Sequence, residues 1–179
     1  MEKWDLFNKN RQSLNRTICR DDNMMKNEYH IVVNIWTINN KKEVLLTFRH
    51  PNKKLYPNKW ECTGGNIFEG EKSKACAVRE LKEETGIDIF ENELIFLGTR
   101  REEYPSESEN LFVDIYAVIK DIEIDSLELQ ENETTKAKLV TIETLNEMID
   151  DKSIAENMGQ RLKSVYTEFE KVVKETKGV

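Results

Sequence analysis

Three glutamates crowd onto one predicted helix near the middle of this 179-residue chain. The segment GNIFEGEKSKACAVRELKEETGI, residues 65–87, carries Glu80, Glu83 and Glu84 between two glycines. Side chains three and four positions apart meet on one helix face, where like charges repel by a few tenths of a kcal/mol per pair. They also lie near the helix C-terminus, where the backbone dipole disfavours anions. A bound divalent cation would turn this repulsion into a net attraction, so the pattern predicts a binding site for Mg²⁺.

The helix that carries these acids is predicted over residues 72–85. Ala77 and Leu81 contribute to an apolar face at helical spacing. We expect Ser73 to cap the start of the helix. We expect Gly86 to adopt the left-handed conformation after the last turn.

A solvated, salt-bridged helix is the alternative interpretation of the same residues. Lys72, Lys74, Arg79 and Lys82 are close enough in sequence to pair with the glutamates. Taken alone, the ELKEE run favours this alternative, because glutamate-rich exposed helices are common. The spacing of the residues around the run favours a metal site.

That wider pattern resembles the signature of the Nudix hydrolases. Five residues separate Gly65 from Glu71, seven more lead to Arg79-Glu80-Leu81, and Glu83-Glu84 and Gly86-Ile87 complete it. The resemblance covers about residues 28–150. It implies an α/β (α+β) fold of the Nudix type, in which a mixed β-sheet is sandwiched between helices.

Roles for individual residues follow from the resemblance. Arg79 is expected to hold the glutamates in position by bidentate hydrogen bonding. Glu71 is expected to brace the junction between the loop and the helix. The cofactor is expected to be Mg²⁺, with Mn²⁺ as an alternative. The expected metal ligands are the carbonyl of Gly65 and the carboxylates of Glu80, Glu83 and Glu84.

The implied reaction is hydrolysis of a small-molecule diphosphate linked to another moiety, with nucleoside diphosphate derivatives as the default substrates. Mg²⁺ would neutralise charge on the phosphates and lower the pKa of a bound water. A carboxylate would take a proton from that water as it attacks phosphorus. Many family members carry an acid just before a downstream strand, where this chain has Lys138. The general base is therefore expected to be Glu83 or Glu133, and the sequence does not decide between them.

Two other functions stay open at this stage. Trp4-Asp5, Tyr29-His30 and Asn132-Glu133 resemble the isopentenyl-diphosphate isomerase branch of the superfamily. That chemistry needs a catalytic cysteine and a histidine-rich metal site after Trp60, and Cys62 is out of place for it. The third function is a module that binds a nucleotide or metabolite without turning it over. The complete set of glutamates argues against a binding module without catalytic activity.

Composition excludes several further classes. The formal net charge of −7 argues against sequence-independent nucleic-acid binding, which needs a basic surface. Three separated cysteines without a C-x-x-C pair indicate free thiols in a reducing compartment. The N-terminus lacks the layout of a signal peptide, and no apolar run approaches the ~18–20 residues that cross a bilayer. We expect a cytoplasmic protein without nucleic-acid or membrane partners, and a homodimer is expected only because family members are often dimers.

The chain, residues 1–179, is predicted to form a single domain. Residues 1–27 are predicted to form a hairpin extension, and residues 141–179 to form C-terminal helices, one of them continuous over residues 155–174. Strands are predicted over residues 29–38, 43–49, 94–104 and 111–120. Substrate specificity is expected to come from the C-terminal helices and from the loops at residues 50–59 and 100–110. The cations expected to meet phosphates are Arg49, Lys53, Lys54, Arg100 and Arg101.

Overall fold

The structure is a computed structural model that describes residues 2–104 and 109–177. Within them a mixed sheet of nine strands carries helices on both faces, which confirms the predicted fold class. The strands are β1 Lys3–Phe7, β2 Ser13–Cys19, β3 Tyr29–Ile38, β4 Val44–Arg49, β5 Trp60–Glu61, β6 Thr63–Asn66, β7 Ile95–Glu102, β8 Asn110–Ile119 and β9 Thr134–Val140. The helices are α1 Ser73–Thr85, α2 Ile142–Asp150, α3 Glu156–Ser164 and α4 Tyr166–Glu175. Part of the predicted loop at residues 100–110, namely residues 105–108, lies outside the described residues.

Strand β3 lies at the centre of the sheet. Its sequence, YHIVVNIWTI, is rich in β-branched and aromatic residues, and nearly all of it is buried, as expected for a strand covered on both faces. It pairs in parallel with β8 along its whole length, from Tyr29 opposite Asn110 to Ile38 opposite Ile119. Its pairings with β1, β4 and β6 are antiparallel.

Alternate residues of β3 pack into two separate cores. Val33 and Ile35 belong to the cluster that contains Leu81 of α1. Trp36 belongs to the cluster formed with α2, α3 and α4, where its ring lies 5.9 Å from that of Phe169. Because successive side chains of a strand point to opposite faces, α1 covers one face of the sheet and the C-terminal helices cover the other.

The prediction of one continuous helix over residues 155–174 is wrong. The chain breaks between α3 and α4 at Val165, whose φ of −127° and ψ of 21° lie outside the helical region. The Ser164 hydroxyl donates to the Arg161 carbonyl at 2.7 Å, which satisfies one of the acceptors left free at a helix end. Val165 stays buried in the same core as Leu162. Because the apolar residues keep their helical spacing across the break, the sequence pattern alone does not reveal it.

The predicted N-terminal hairpin is formed by β1 and β2, which pair in antiparallel orientation. A buried carboxylate, Asp114 of β8, connects this hairpin to the sheet and to α1. Arg11 donates to both Asp114 oxygens, at 2.6 and 2.5 Å, and Thr99 donates at 2.6 Å. Ser73 also donates to Asp114, at 2.6 Å. The prediction that Ser73 caps α1 is therefore wrong, because its hydroxyl is used by Asp114 and the cap position falls on Lys72 without a side-chain hydrogen bond.

Asp114→Asn is expected to lower the free energy of unfolding by about 2 kcal/mol at neutral pH, because Arg11 would lose its carboxylate partner. Burial alone would raise the pKa of Asp114, but the hydrogen bonds from Arg11, Ser73 and Thr99 outweigh it and lower that pKa. A carboxylate with a lowered folded-state pKa stabilises the fold above its unfolded pKa and loses that contribution as the pH falls through the folded value.

Urea denaturation at pH 7 and at strongly acidic pH tests this expectation. The difference between variant and wild type should be full at pH 7 and should disappear well below pH ~4. Asp88→Asn is the control, because Asp88 forms an exposed ion pair with Lys82 that contributes little. A similar loss of stability in both variants would contradict the role given to Asp114.

Candidate functional site

A cavity of about 720 Å³ lies beside α1, a volume typical of small-molecule sites. Its walls come from the N-terminal hairpin, the loop after β4, strand β6, α1 and the segment before β9. The structure places every residue predicted to bind metal or to act in catalysis on these walls. They are Gly65, Arg79, Glu80, Glu83, Glu84 and Glu133.

Arg79 is the hub of the acidic wall. Its Nε and Nη2 donate to the two oxygens of Glu71, at 2.8 and 2.9 Å, while Nη1 donates to Glu80 at 2.7 Å and to Glu83 at 3.1 Å. The bidentate contact predicted for the metal-binding glutamates is thus made with Glu71. Burial opposes the charge on Arg79, but Glu71 and Glu80 outweigh it and raise the pKa of Arg79 above its ordinary value. The arginine therefore stays charged and holds two of the three clustered acids.

Glu71 joins the loop before α1 to this arginine. It accepts a hydrogen bond from the backbone N–H of Phe68 at 3.0 Å, so the same carboxylate contacts both the loop and the helix. Burial would raise the pKa of Glu71, but Arg79 and the Phe68 N–H prevail and lower it. The geometry agrees with the bracing role predicted for Glu71.

The carboxyl group of Glu80, on α1, lies against the backbone of β6 at Gly65. A Cβ atom added at Gly65 would lie 2.1 Å from the carboxyl group of Glu80, far inside van der Waals contact. Burial raises the pKa of Glu80, while Arg79 acts in the opposite direction. At the other end of α1, Gly86 adopts the predicted left-handed conformation with φ 75°.

Glu84 is the most unusual acid of the site. Only 8% of the residue is exposed, and its Oε2 atom has no hydrogen-bond partner among the described residues. Burial raises the pKa of Glu84 well above its ordinary value, and the nearby charges of Glu61 and Glu80 raise it further. A buried carboxylate oxygen that lacks a partner is costly, so an additional positive charge beside Glu84 Oε2 would be strongly favourable.

The donor set is chemically suited to a hard divalent cation. Carboxylate and carbonyl oxygens are the ligands that Mg²⁺ prefers, and the free oxygen of Glu84 is an acceptor without a partner. Across residues 2–104 and 109–177, no three His, Cys, Asp or Glu side chains already form a group that could hold a metal ion. Two of the expected ligands, Glu80 and Glu83, are held by the same nitrogen of Arg79. The ligand roles of these residues therefore stay predictions.

Glu61 is a further acid of this site that the sequence analysis missed. It is buried, lies close enough to Glu84 to raise its pKa, and accepts from Arg49 at 2.8 and 2.6 Å. Burial raises the pKa of Glu61, and Arg49 acts against that shift. A charged residue within the apolar run Trp60-Glu61-Cys62 was the available signal, because such residues are rarely buried without a partner.

Glu133 reaches the cavity from the segment before β9. Its carboxylate forms an ion pair with Lys53, and its carbonyl accepts from the His50 backbone N–H at 2.9 Å. The same segment is fixed to the end of α1, since the Gln130 N–H donates to the Glu84 carbonyl at 3.3 Å. Lys138, at the position where the family resemblance led us to look for an acid, extends over the Trp60 ring at 4.2 Å.

The predicted phosphate-binding cations divide into two groups. Arg49, Lys53 and Lys54 line the cavity together with the acids. Arg100 pairs with Glu102 and donates to the Gln160 carbonyl. Arg101 pairs with Glu103 and donates to the Lys9 carbonyl. The loop after β4 is therefore the better source of charge for a phosphate.

Cys62, Cys76 and the strand residue His30 are all buried in the protein. Cys62 and Cys76 are free thiols, as predicted, and both are buried. Burial raises the pKa of both thiols. His30 is buried and stacks on Trp4, with ring centroids 4.4 Å apart.

Within the described part of the chain, no helix is both long and apolar enough to cross a membrane.

The chain is similar to known proteins in both sequence and fold. The model of the NUDIX domain matches residues 28–162. An uncharacterised Nudix hydrolase of Listeria monocytogenes is 34% identical over 146 residues, which cover 81% of this chain and 83% of the relative. A solved structure from Deinococcus radiodurans has a TM-score of 0.74 at 21% identity and covers 92% of this chain and 99% of its own.

A second solved structure contains a domain of similar fold within a larger chain. It is a bifunctional NMN adenylyltransferase/ADP ribose pyrophosphatase from Francisella tularensis, complexed with AMP and a Mn ion. Its TM-score is 0.58 at 19% identity, and the match covers 78% of this chain and 42% of that one. At these identities both structures establish a shared fold.

Proposed function

Because the chain belongs to the Nudix family and is a Nudix hydrolase, we propose that it cleaves the pyrophosphate linkage of a nucleoside diphosphate joined to another moiety. Mg²⁺ is the proposed cofactor, with Mn²⁺ as the alternative. The observation that carries the proposal is the unpartnered oxygen of Glu84, which lies in a cavity lined by both acids and cations. Such a cavity suits a metal ion and a phosphate chain together.

Each wall of the cavity has a proposed task. The Gly65 carbonyl, Glu80 and Glu84 would hold Mg²⁺, which when bound would neutralise phosphate charge and acidify water. Glu83, the other predicted ligand, is given the role of proton acceptor instead. Arg79 keeps Glu80 and Glu83 oriented through its Nη1 atom. The cations of the loop after β4 attract the phosphates of the substrate.

Glu83 is the better candidate for the general base. Its side chain is 50% exposed and contacts Arg79 through one oxygen at 3.1 Å, so it can accept a proton from an attacking water. The Glu133 carboxylate is neutralised by its ion pair with Lys53. We therefore assign proton removal to Glu83, and Glu133 is proposed to hold Lys53 within the cavity.

An activity like that of isopentenyl-diphosphate isomerase is the second candidate, because two of the residues that prompted it, Trp4 and Glu133, line the cavity. The residues that such chemistry needs are not available there. The Cys62 thiol is buried and contacts the sulfur of Met158 at 3.8 Å. His30 is covered by Trp4. Hydrolysis is therefore the activity that the site supports best.

A substrate panel tests the proposed function. It contains nucleotide sugars including ADP-ribose, dinucleoside polyphosphates, NADH, modified nucleoside triphosphates and prenyl diphosphates, each with Mg²⁺, with Mn²⁺ and with chelator. We expect two phosphate-bearing products from at least one compound, and none in the presence of chelator. Isomerised isopentenyl diphosphate would support the second candidate. The absence of any product would instead indicate a binding module.

A further inference from the structure

Besides Arg79 and Lys54, three further cations line the same cavity. Arg49 ends β4, Lys53 lies in the loop that follows, and Arg20 follows β2 of the N-terminal hairpin. Each cation has its own carboxylate partner. The pairs are Arg49 with Glu61, Lys53 with Glu133, and Arg20 with Glu2.

Lys53 is close enough to both Arg49 and Arg20 to be repelled by their charges. Burial lowers the pKa of Lys53, and the charges of Arg49 and Arg20 lower it further, against the opposing effect of Glu84 and Glu61. This crowding of like charge mirrors the crowding of the glutamates on α1. An anion with several charges placed among the cations would relieve their repulsion.

Arg20 is the cation best able to exchange its partner. Its side chain is 56% exposed, and a single contact at 2.8 Å joins it to Glu2. Arg49, by comparison, is largely buried and contacts both oxygens of Glu61 as well as the Leu55 carbonyl. Arg20 is therefore available to a ligand.

The residues of the N-terminal hairpin that line the cavity are held in place by packing. Glu2, Trp4, Arg20 and Asp21 line it, and Trp4 is held by its stack on His30 at an interplanar angle of 14°. Trp4 also packs in a small core with Leu6, Ile18 and Met24. The hairpin thus adds a cation to the cavity at a defined position, outside residues 65–87.

We propose that Arg20 binds a third phosphate of the substrate, beyond the diphosphate that is cleaved, and so selects substrates with chains of at least three phosphates. This inference rests on the proposed function and narrows its substrate class. In the free protein the Arg20 guanidinium forms an ion pair with Glu2. When the substrate binds, its third phosphate replaces Glu2 as the partner of Arg20.

Equilibrium binding of inorganic tripolyphosphate and pyrophosphate, measured calorimetrically with chelator present, tests the inference without turnover. Wild type should bind tripolyphosphate about tenfold more tightly than pyrophosphate, the size of one charged hydrogen bond. Arg20→Gln should reduce that ratio to near one. Arg16→Gln is the matched control, since Arg16 lies on the same hairpin, is 50% exposed and pairs with Glu28 at 2.7 Å. Glu2→Gln should strengthen tripolyphosphate binding.

An unchanged ratio in Arg20→Gln, or an equal fall in Arg16→Gln, would overturn the assignment. Kinetics with a nucleoside triphosphate and the diphosphate of the same base separate the two claims. Arg20→Gln should raise KM for the triphosphate about tenfold more than for the diphosphate. If wild type cleaves neither while the tripolyphosphate pattern holds, the proposed function fails and the anion site stands. If both are cleaved and Arg20→Gln leaves their KM ratio unchanged, the function stands and the role of Arg20 fails.

Discussion

Replacing Glu84 by glutamine is expected to lower kcat/KM by about three orders of magnitude while the fold stays intact. Glutamine keeps the shape of the side chain and removes the negative charge that the metal requires. The backbone N–H of Gly64 contacts this carboxylate, and the side-chain oxygen of glutamine can still accept that hydrogen bond. The loss should therefore be one of chemistry and metal affinity.

Thermal unfolding of the same variant, without metal, separates that loss from misfolding. Burial raises the pKa of Glu84, and Glu61 and Glu80 raise it further, so the ionised carboxylate opposes folding at neutral pH. Removing its charge should leave the melting temperature unchanged or higher. Glu147→Gln, at an exposed position of α2, is the control and should retain activity. A large fall in the melting temperature of Glu84→Gln would contradict this account.

Replacing Arg79 by lysine should lower kcat/KM by about two orders of magnitude. Lysine keeps the charge but cannot contact Glu71 through two parallel bonds while also holding Glu80 and Glu83. It would also lose the contact with the Asn66 carbonyl, which accepts from Nη2 at 3.0 Å. The acids would then lose their fixed positions relative to one another.

Steady-state kinetics and metal titration of Arg79→Lys check this expectation, and both activity and metal affinity should fall. Arg101→Lys is the control, because Arg101 forms an exposed pair with Glu103 at 3.3 Å. Wild-type kinetics in Arg79→Lys would show that a positive charge alone suffices at this position. That result would contradict the orienting role of the guanidinium.

The sequence predicted the parts of the site that depend on local spacing. Glu80, Glu83 and Glu84 share α1, so their proximity follows from helix geometry. The left-handed Gly86 follows from the position of a glycine after the last turn. Strand β3 was predicted with its observed ends, because its β-branched and aromatic run is bounded by polar residues.

The parts that depend on tertiary pairing were not predictable in this way. Glu61 meets the site because β5 pairs with β4, with Glu61 opposite Thr47. Arg20 meets it because the hairpin packs beside β3 through Phe7 and Tyr29. Local patterns also failed for Ser73, whose hydroxyl is taken by a strand distant in sequence.

Our main proposal is that the acids of α1 form a binding site for a divalent cation. Direct titration of Mn²⁺, followed by its electron paramagnetic resonance signal, tests it without any substrate. We expect saturable Mn²⁺ binding by the wild type, binding about tenfold weaker in Glu84→Gln, and wild-type affinity in Glu147→Gln. Equal Mn²⁺ affinity in wild type and Glu84→Gln would contradict it.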